Sequence, residues 1–346
     1  MARIPQPVAD IRLAVRRALT GLQPAGSLVL VACSGGADSL ALAAATAFVA
    51  PRAGFRAGLV TVDHALQDGS AARAVAVADW ALAAGFSTAE VATVSVGGLP
   101  GGPEAAARSA RYAALSSVAS RLAAVVVLLG HTRDDQAETV LLALARGAGP
   151  RGLAGMPYRR GVFVRPLLDV ARSDTRKACA ALGLTVWEDP HNSDPAYARS
   201  RVRAEALPAL IAALGPGVVD NLARTAAQVA ADNAALDSLA AAALVAAASP
   251  AAGLPASSPA PSAPSAGSER LVVAHLLGLA PAVRTRVLHR WARDLGAPGG
   301  ALSHRHVAAL DAFVTDWHGQ GPTQLPGDIS VARSDGMLVR VDRSDM

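Results

Sequence analysis

One turn constrains this chain more than any other stretch. An apolar strand, Val29–Ala32, runs through Cys33 into Ser-Gly-Gly-Ala-Asp-Ser and then into a helix predicted over 38–48. Gly35 and Gly36 carry no Cβ, so the backbone there can approach a bulky anion closely. The N–H groups and the positive dipole end of the following helix point at the same spot. The pattern predicts a strand–turn–helix unit that binds a phosphate chain.

The aspartate in this turn needs an explanation, because a carboxylate repels phosphate. A divalent cation lying between Asp38 and the phosphates would remove the conflict. The alternative is that Asp38 only favours the start of the helix. Both interpretations stay open at this point. The predicted phosphate-binding turn consists of Ser34, Gly35, Gly36, Ala37, Asp38 and Ser39.

The basic residues are almost all arginines. Lys177 is the single lysine among 32 basic residues in a chain of 346 residues with a net charge of +5. Arginine binds phosphates and stacks on bases, which suits an RNA partner, but a GC-rich genome would favour arginine equally. No Gly-Lys-Ser/Thr loop is present and no Gly-x-Gly-x-x-Gly follows a predicted strand, so the common nucleotide-binding fingerprints are excluded.

The apolar composition does not predict a membrane protein. Mean hydropathy is +0.32, largely because of alanine, and the longest apolar run, 239–248, is shorter than the roughly 20 residues that a spanning helix needs. Cys33 and Cys179 stand alone, with neither metal-ligand spacing nor a disulfide framework. We expect a soluble, cytoplasmic protein with no membrane partner.

Short apolar strands alternate with helical patterns up to about residue 190. This rhythm predicts an α/β fold: a Rossmann-like, mainly parallel sheet with helices on both faces. The predicted strands are 27–32, 57–62, 90–96, 124–129 and 162–164. The predicted helices are 38–48, 70–84, 103–121, 132–145 and 173–182.

Polar residues follow three of these strands at their carboxyl ends, where such sheets bind ligands. Ser34 follows the first strand, Asp63 and His64 the second, and His131 the fourth. Their convergence predicts one site at this edge, in which His64 orders its loop.

Three acids open the helix after His131. Asp134, Asp135 and Glu138 are spaced three and four residues apart, so they share a face of the first turns. Three carboxylates at the strand ends could hold Mg²⁺ against a triphosphate. The alternative is that Thr132 and Asp135 form a capping box, which explains one acid well and three poorly.

The chain changes character after about residue 208. We predict a domain over 1–208, a helical segment over 209–248, an Ala/Pro/Ser-rich linker over 249–268 and a smaller, helical or α+β domain over 269–346. Arginines lie on helix faces or alternate near the domain junction, where they suit RNA phosphates, although solvated faces explain each one alone. The candidate RNA-binding arginines are Arg108, Arg199, Arg201, Arg203, Arg286 and Arg290.

At this point the motifs are familiar. The turn 34–39 resembles the PP-loop of the ATP pyrophosphatases, and the ordered series that follows is similar to the tRNA(Ile)-lysidine synthetase family. The matching stretches are 62–64, 104–112, 131–138, 146–149, 152–156, 165–168, 188–192 and 199–203.

The resemblance implies a C–N bond-forming ligase. ATP adenylates the wobble cytidine of a CAU-anticodon tRNA(Ile), and the ε-amine of free L-lysine displaces AMP to give lysidine. The turn 34–39 together with Asp63, His64 and His131 would bind ATP, and Mg²⁺ would neutralise the diphosphate. The implied catalytic residues are Asp38, Arg111, Asp135 and Glu138, of which Asp38 and Asp135 would hold the metal. A homodimer is left open.

Three alternatives are weighed against this resemblance. A PP-loop tRNA thiolase needs a cysteine pair or an iron–sulfur cluster, which two isolated cysteines do not supply. An amidotransferase-linked synthetase needs a route for ammonia, and no nucleophilic N-terminal cysteine is visible. A non-catalytic nucleotide- or tRNA-binding protein would not need the intact turn and the acidic cluster.

Overall fold

The computed structural model describes most of the chain in two compact units, Met1–Ala230 and Ala231–Met346. The predicted linker over 249–268 and the last two residues of the strand predicted over 90–96 lie outside the described residues. The described residues are 4–23, 26–64, 69–94, 103–189, 194–248 and 269–341, with the side chains of 103–105 left out.

The first unit alternates strands and helices. Its strands are β1 (Leu28–Ala32), β2 (Arg56–Asp63), β3 (Thr88–Thr93), β4 (Ala124–Leu129), β5 (Arg159–Arg160) and β6 (Phe163–Val164). Its helices are α1 (Gln6–Leu19), α2 (Ala37–Arg52), α3 (Ser70–Ala83), α4 (Pro103–Arg121), α5 (Arg133–Ala145), α6 (Pro150–Leu153), α7 (Arg172–Ala181), α8 (Ala198–Arg201) and α9 (Leu207–Leu214). A π-helical turn, Val202–Ala206, joins α8 to α9. The long helix α10 (Val218–Ala248) contains the boundary between the units.

The central strand is buried on both faces. Val29 and Val31 pack with residues of α1, α2 and α7, whereas Leu30 and Ala32 pack with residues of α4. Side chains alternate between the two faces of a strand, so a strand that is covered on both sides needs the continuous apolar run seen here. The predicted sheet with helices on both faces is confirmed.

The strand order places the polar residues together. The sheet runs β3-β2-β1-β4-β6-β5, with every pair parallel except β5–β6. The chain moves from β1 to β2 and β3 on one side and then crosses to β4 on the other. The crevice outside β1 and β4 is therefore the switch point where such sheets bind ligands.

The second unit is built on an antiparallel sheet. Its elements are β7 (Arg270–Val272), α11 (Val273–Leu277), α12 (Pro281–Asp294), α13 (His304–Thr315), β8 (Thr323–Leu325), β9 (Ile329–Ser334) and β10 (Met337–Val341). The strands lie in the order β7-β10-β9-β8. Leu288, Trp291 and Phe313 are buried in its core, and the predicted apolar stripe of α12 faces that core. Of the two options for this region, helical or α+β, the structure has the α+β one.

The sequence analysis missed the first helix. In α1 the buried residues Val8, Ile11, Val15 and Leu19 recur at helical spacing, so the signal was present. The sequence analysis also predicted no membrane-spanning helix. By length and composition α10 is apolar enough to cross a bilayer, although a single such helix is weak evidence of a span.

Candidate functional site at the strand ends

The turn after β1 is held by one hydroxyl. Ser39 Oγ accepts a hydrogen bond from the Ser34 amide (3.1 Å) and donates one to the Gly36 carbonyl (2.9 Å). Ser39 is buried, whereas Ser34 is exposed. Of the two predicted phosphate-binding hydroxyls, the one on Ser39 therefore shapes the turn and the one on Ser34 faces solvent.

The glycines keep this turn open toward the helix. Gly35 has a φ of +85°, and a Cβ there would lie 3.2 Å from Val77 Cγ2 and 3.7 Å from Trp187 Cβ. Gly36 precedes α2 and gives it no side-chain cap. The first amides of α2 thus receive no side-chain acceptor from the cap residue, which is the arrangement that binds anions at helix N-termini.

A third glycine brings the end of β4 against the same turn. A Cβ on Gly130 would lie 3.0 Å from both Cα and N of Ser39. Backbone atoms cannot rotate away as a flexible side chain would, so only glycine fits here. This close approach fixes the distance between the turn and His131, and the sequence analysis did not identify it.

Asp38 is a carboxyl whose pKa lies well above its ordinary value. Burial, with a smaller contribution from Asp135, raises this pKa to about 6, although Thr175 and Arg172 act in the opposite direction. Thr175 Oγ1 hydrogen-bonds one carboxylate oxygen, and Arg172 Nε lies 3.7 Å from the other. The carboxyl lacks enough positive charge around it to be fully ionised near pH 6.

Asp135 uses both of its oxygens. Oδ2 accepts hydrogen bonds from the amide (2.7 Å) and hydroxyl (2.9 Å) of Thr132, which completes a capping box. Oδ1 lies 2.8 Å from Arg172 Nη2 and 3.4 Å from Arg203 Nη2. Burial alone would raise the pKa of Asp135, but Arg172 and the hydrogen bonds from Thr132 outweigh it, so that pKa is lowered.

Glu138 is fully buried and surrounded by guanidinium groups. Arg203 Nε and Nη2 lie 2.7 Å and 3.1 Å from its two oxygens, and Arg172 Nη1 lies 3.0 Å away. Arg199 Nε is 3.6 Å distant. A buried carboxylate is tolerated only with such partners. The arrangement is an acid–arginine cluster, which we define as Asp135, Glu138, Arg172, Arg199 and Arg203.

The acids do share one face, as predicted, but they do not form a three-carboxylate magnesium cage. Asp134 accepts a hydrogen bond from the Arg172 amide (2.8 Å) and so caps α7. Arg172 enters among the carboxylates of Asp38, Asp135 and Glu138 and pairs with the last two at 2.8 Å and 3.0 Å. In the described part of the chain, no group of three His, Cys, Asp or Glu side chains is arranged to hold a metal ion.

Two of the arginines predicted to bind RNA point inward. Arg199 Nη2 donates to Thr139 Oγ1 (3.0 Å), and Arg203 pairs with Glu138. Arg203 lies in the π turn, a feature that often marks functional sites. Arg201 is exposed, with Nη1 bonded to the carbonyl of Pro195 (2.6 Å). The alternative of a solvated arginine series does not describe Arg199 and Arg203, because a buried carboxylate binds them, and their contact with RNA stays a prediction.

The remaining predicted ATP-binding residues border the crevice. Burial and Arg111 lower the pKa of His64, and burial lowers the pKa of His131 to about 3, so His131 is neutral at physiological pH. Burial also lowers the pKa of the Arg111 guanidinium. Asp63 is buried at the end of β2.

The arginines predicted on the second unit differ from each other. Arg286 Nε lies 3.2 Å from Asp237 Oδ1, and its Nη2 hydrogen-bonds Asn233, so this side chain is held within the unit. Arg290 is exposed. Exposure leaves Arg290 available to a phosphate, whereas Arg286 has a structural partner.

Arg172 and Thr175 are site residues that the sequence analysis missed. A signal for Arg172 existed, since it opens α7 and a cation at a helix N-terminus opposes the dipole. Such a residue implies carboxylates nearby that outweigh this cost. The Glu104 side chain and residues 190–192 of the matching motifs lie outside the described residues.

Neither cysteine is suited to nucleophilic chemistry. Burial raises the pKa of Cys33, and burial raises the pKa of Cys179 to about 11. Both thiols are protonated at neutral pH, and a thiol is a weak nucleophile.

Comparison with known proteins agrees with the geometry. A family model described as a PP-loop domain matches residues 12–210, and one described as a TilS substrate binding domain matches residues 271–339. The chain is 64% identical to the tRNA(Ile)-lysidine synthase of Salinispora arenicola over 346 residues, covering 99% of this chain and 98% of the relative. It is 54% identical to that of Thermobifida fusca, covering 98% and 99%.

A solved structure shares the fold alone. The U34-tRNA thiolase NcsA from Methanococcus maripaludis, with its [4Fe-4S] cluster, matches with a TM-score of 0.54 at 17% identity. The match covers 65% of this chain and 80% of the thiolase. Likeness at this level of identity supports the sheet architecture and carries no argument for sulfur chemistry.

Proposed function

The chain belongs to the tRNA(Ile)-lysidine synthase family, and we propose that it joins free L-lysine to the wobble cytidine of a CAU-anticodon tRNA(Ile). Adenylation forms a bond from the cytidine O2 to the α-phosphorus of ATP and releases diphosphate. The ε-amine of lysine then attacks C2, and AMP leaves. The observation that carries the proposal is the position of the acid–arginine cluster beside the PP-loop, where Arg172 contacts both Asp38 and Asp135.

The PP-loop supplies the phosphate-binding step. The uncapped N-terminus of α2 presents amides next to the exposed Ser34, and Gly35 lets the backbone turn without a side chain in the way. Fixed amide dipoles stabilise the charge that grows on the diphosphate as it leaves. His131, at the end of the neighbouring strand, is neutral and therefore contributes no charge to the binding of the diphosphate.

Asp38 is a suitable ligand for Mg²⁺, and Asp135 is not in this arrangement. Magnesium sites in nucleotide enzymes commonly use one or two carboxylates plus substrate phosphates and water. Asp38, with a pKa of about 6, lacks full compensation by neighbouring cations, whereas both oxygens of Asp135 already have donors. When bound, Mg²⁺ would neutralise the triphosphate. We assign Asp135 to the acid–arginine cluster instead.

Lysine is a substrate whose chemistry fits this cluster. Its α-carboxylate and α-ammonium require partners of both signs, while the ε-amine must stay free to react. The guanidinium groups of Arg172 and Arg203 are partly exposed and are held in place by Asp135 and Glu138, so they can receive the α-carboxylate. Charge-assisted hydrogen bonds of this type fix both position and orientation.

The RNA-binding role falls to exposed arginines. Arg201 in the first unit and Arg290 in the second are both exposed, and Arg108 is exposed on α4. Such contacts with phosphates position the tRNA without reading its sequence. The proposed substrates of the protein, tRNA and ATP, support the cytoplasmic location expected from the sequence.

The proposal is tested by incorporation of lysine. The purified protein is incubated with ATP, Mg²⁺, labelled L-lysine and a CAU-anticodon tRNA(Ile) transcript. A matched transcript carries uridine at the wobble position and should accept no label. Label should enter the first transcript only when ATP is present. Absence of label from it, alongside an active lysidine synthase as control, would refute the proposed function.

A further inference from the structure

Arg165 carries a buried positive charge that the proposed function does not use. Arg165 is 3% exposed. Its Nη1 donates to the Pro157 carbonyl (2.7 Å), and its Nη2 donates to the Tyr112 hydroxyl (3.2 Å). Nε has no hydrogen-bond acceptor. Among the residues that the structure describes, no carboxylate lies within ion-pair distance of it. Burying an unpaired guanidinium is costly, so its retention needs a compensating ligand.

One further arginine lies close to this charge, and a second precedes Tyr112 on α4. Arg108 Nη2 is 3.4 Å from the Tyr112 hydroxyl, and its guanidinium carbon is 5.1 Å from the centre of the Tyr112 ring. Arg111 is one residue before Tyr112 on α4. Neither arginine forms an ion pair within the described residues. The Tyr112 hydroxyl therefore accepts from Arg108 and Arg165 together and holds two cations side by side.

Tyr112 itself is fixed by packing. Its ring meets Phe163 edge to face, with the ring centres 5.0 Å apart. Phe163 lies in β6, two residues before Arg165. The strand and α4 thus orient the Tyr112 hydroxyl from both sides, and loss of that hydroxyl alone should leave the ring in place.

The group formed by Arg108, Tyr112 and Arg165 lies at the same edge of the sheet as the PP-loop. In the β4–β6 register Val127 is opposite Phe163 and Leu128 is opposite Val164, so Arg165 follows at the carboxyl end, beside the residues leading to His131. The Nδ1 atom of His131 is buried without a hydrogen-bond partner. Arg111, Arg165 and Arg108 all act on His131 to lower its pKa, which places it electrostatically among them.

We propose that Arg165, oriented by the Tyr112 hydroxyl, is a phosphate-binding residue that contacts a phosphate ester through its unpaired Nε–H. The ligand chemistry is a phosphate oxygen with one negative charge, which both ATP and an RNA backbone supply. An incoming phosphate would compensate the buried charge of Arg165 and meet Arg108 or Arg111 at the same time. This inference rests on the proposed function only for the identity of the two phosphate sources.

The test compares R165M with R160M. Arg160 is exposed on the neighbouring strand β5, so its removal changes the net charge equally and leaves Arg108, Tyr112 and Arg165 in place. Affinity for ATP with Mg²⁺ and affinity for the CAU-anticodon transcript are measured separately by equilibrium titration, with thermal melting as a check on folding. We expect R165M to lose about tenfold or more in one of the two affinities and R160M to lose less than about twofold.

The two arms identify the source of the phosphate. A loss confined to ATP assigns Arg165 to the nucleotide. A loss confined to the transcript, with a salt dependence reduced by about one unit of slope, assigns it to the RNA backbone. Folded R165M with both affinities within about twofold of the wild type overturns the proposal.

Two more variants keep the test decisive. If R165M fails to fold, R165K and Y112F replace it. R165K keeps the charge but lacks the Nε–H geometry, and Y112F removes only the orienting hydroxyl, so both should weaken the same ligand. Unchanged affinities in both would overturn the proposal. A wild-type protein that forms no lysidine while R165M still loses phosphate affinity would refute the proposed function and leave this inference standing.

Discussion

Arg203 forms a two-contact ion pair with Glu138, with Nε 2.7 Å from one carboxylate oxygen and Nη2 3.1 Å from the other. Glu138 has no exposed surface. The pair therefore joins the π turn to α5 beneath the site, and the geometry of the acid–arginine cluster depends on it. Bidentate pairs of this kind fix orientation as well as distance.

Replacing Glu138 by Gln should destabilise the protein strongly. A neutral amide would remove the buried charge that Arg172, Arg199 and Arg203 share and leave Arg172 and Arg203 with Asp135 alone, and breaking comparable buried pairs costs about 3–5 kcal/mol. Urea unfolding at pH 7 measures the change in the free energy of unfolding. The matched control is E205Q, since Glu205 is exposed on the same π turn and should cost less than about 0.5 kcal/mol. A cost below about 1 kcal/mol for E138Q would contradict the structural role of the cluster.

Replacing Gly130 by Ala should impair ATP binding. The new Cβ would lie 3.0 Å from backbone atoms of Ser39, so the start of α2 or the end of β4 must move. We expect the affinity for ATP to fall at least about tenfold, because misplaced amides lose their contacts with the phosphates. G278A is the control, since a Cβ at Gly278 meets nothing within 4 Å. Equal ATP affinity in both variants would show that the close approach does not matter.

These two predictions rest on contacts that could not be predicted from the sequence. The strands, the PP-loop and the acids were predictable because periodicity and short motifs are local. The approach of Gly130 to Ser39 and the entry of Arg172 among the acids depend on how β4 and α7 pack, which no local pattern records. By contrast, α1 was predictable from its apolar spacing and was missed.

The same difference explains the arginine assignments. An alternating series of arginines is compatible with solvent, RNA or buried partners, and only the π turn directs Arg203 onto Glu138. Tertiary packing supplies a buried partner for Arg199 and Arg203 that the local sequence does not show, and their contact with RNA stays a prediction. Arg201, at an exposed position between them, still fits the original interpretation.

Asp38 should make the protein less stable at alkaline pH than at acid pH. Its pKa is raised to about 6 in the folded state, so the ionised form is penalised on folding by at most about 3 kcal/mol. Above pH 6 the penalty is fully present, and it disappears as the pH falls from about 6 to about 4, where the unfolded carboxyl also becomes protonated.

D38N removes this ionisation and so tests the sign. Without ATP or Mg²⁺, its melting temperature should exceed that of the wild type at pH 8, and the difference should shrink toward pH 5. D174N is the control, because Asp174 pairs with the exposed Lys177 at the surface of the described structure, where loss of an ion pair costs little. A D38N protein that is less stable than the wild type at pH 8 would contradict the raised pKa.

Two arginines of α12 should respond differently to alanine. R290A removes an exposed charge and should weaken tRNA binding a fewfold, with a salt slope smaller by about one unit and no change in melting temperature. R286A removes the partner of Asp237 and should lower stability by roughly 1 kcal/mol. Filter binding at several salt concentrations and urea unfolding separate the effects. The reverse pattern would show that the exposed face of α12 does not contact RNA.

The central claim is that this PP-loop site activates a wobble cytidine for attack by lysine. Nucleoside mass spectrometry of the CAU-anticodon transcript, after incubation with the protein, ATP, Mg²⁺ and lysine, reports the product directly. The account predicts lysidine in place of the wobble cytidine, formed by the wild type and lost by at least about a hundredfold in D38N. An unmodified or thiolated cytidine from the wild-type reaction would contradict it.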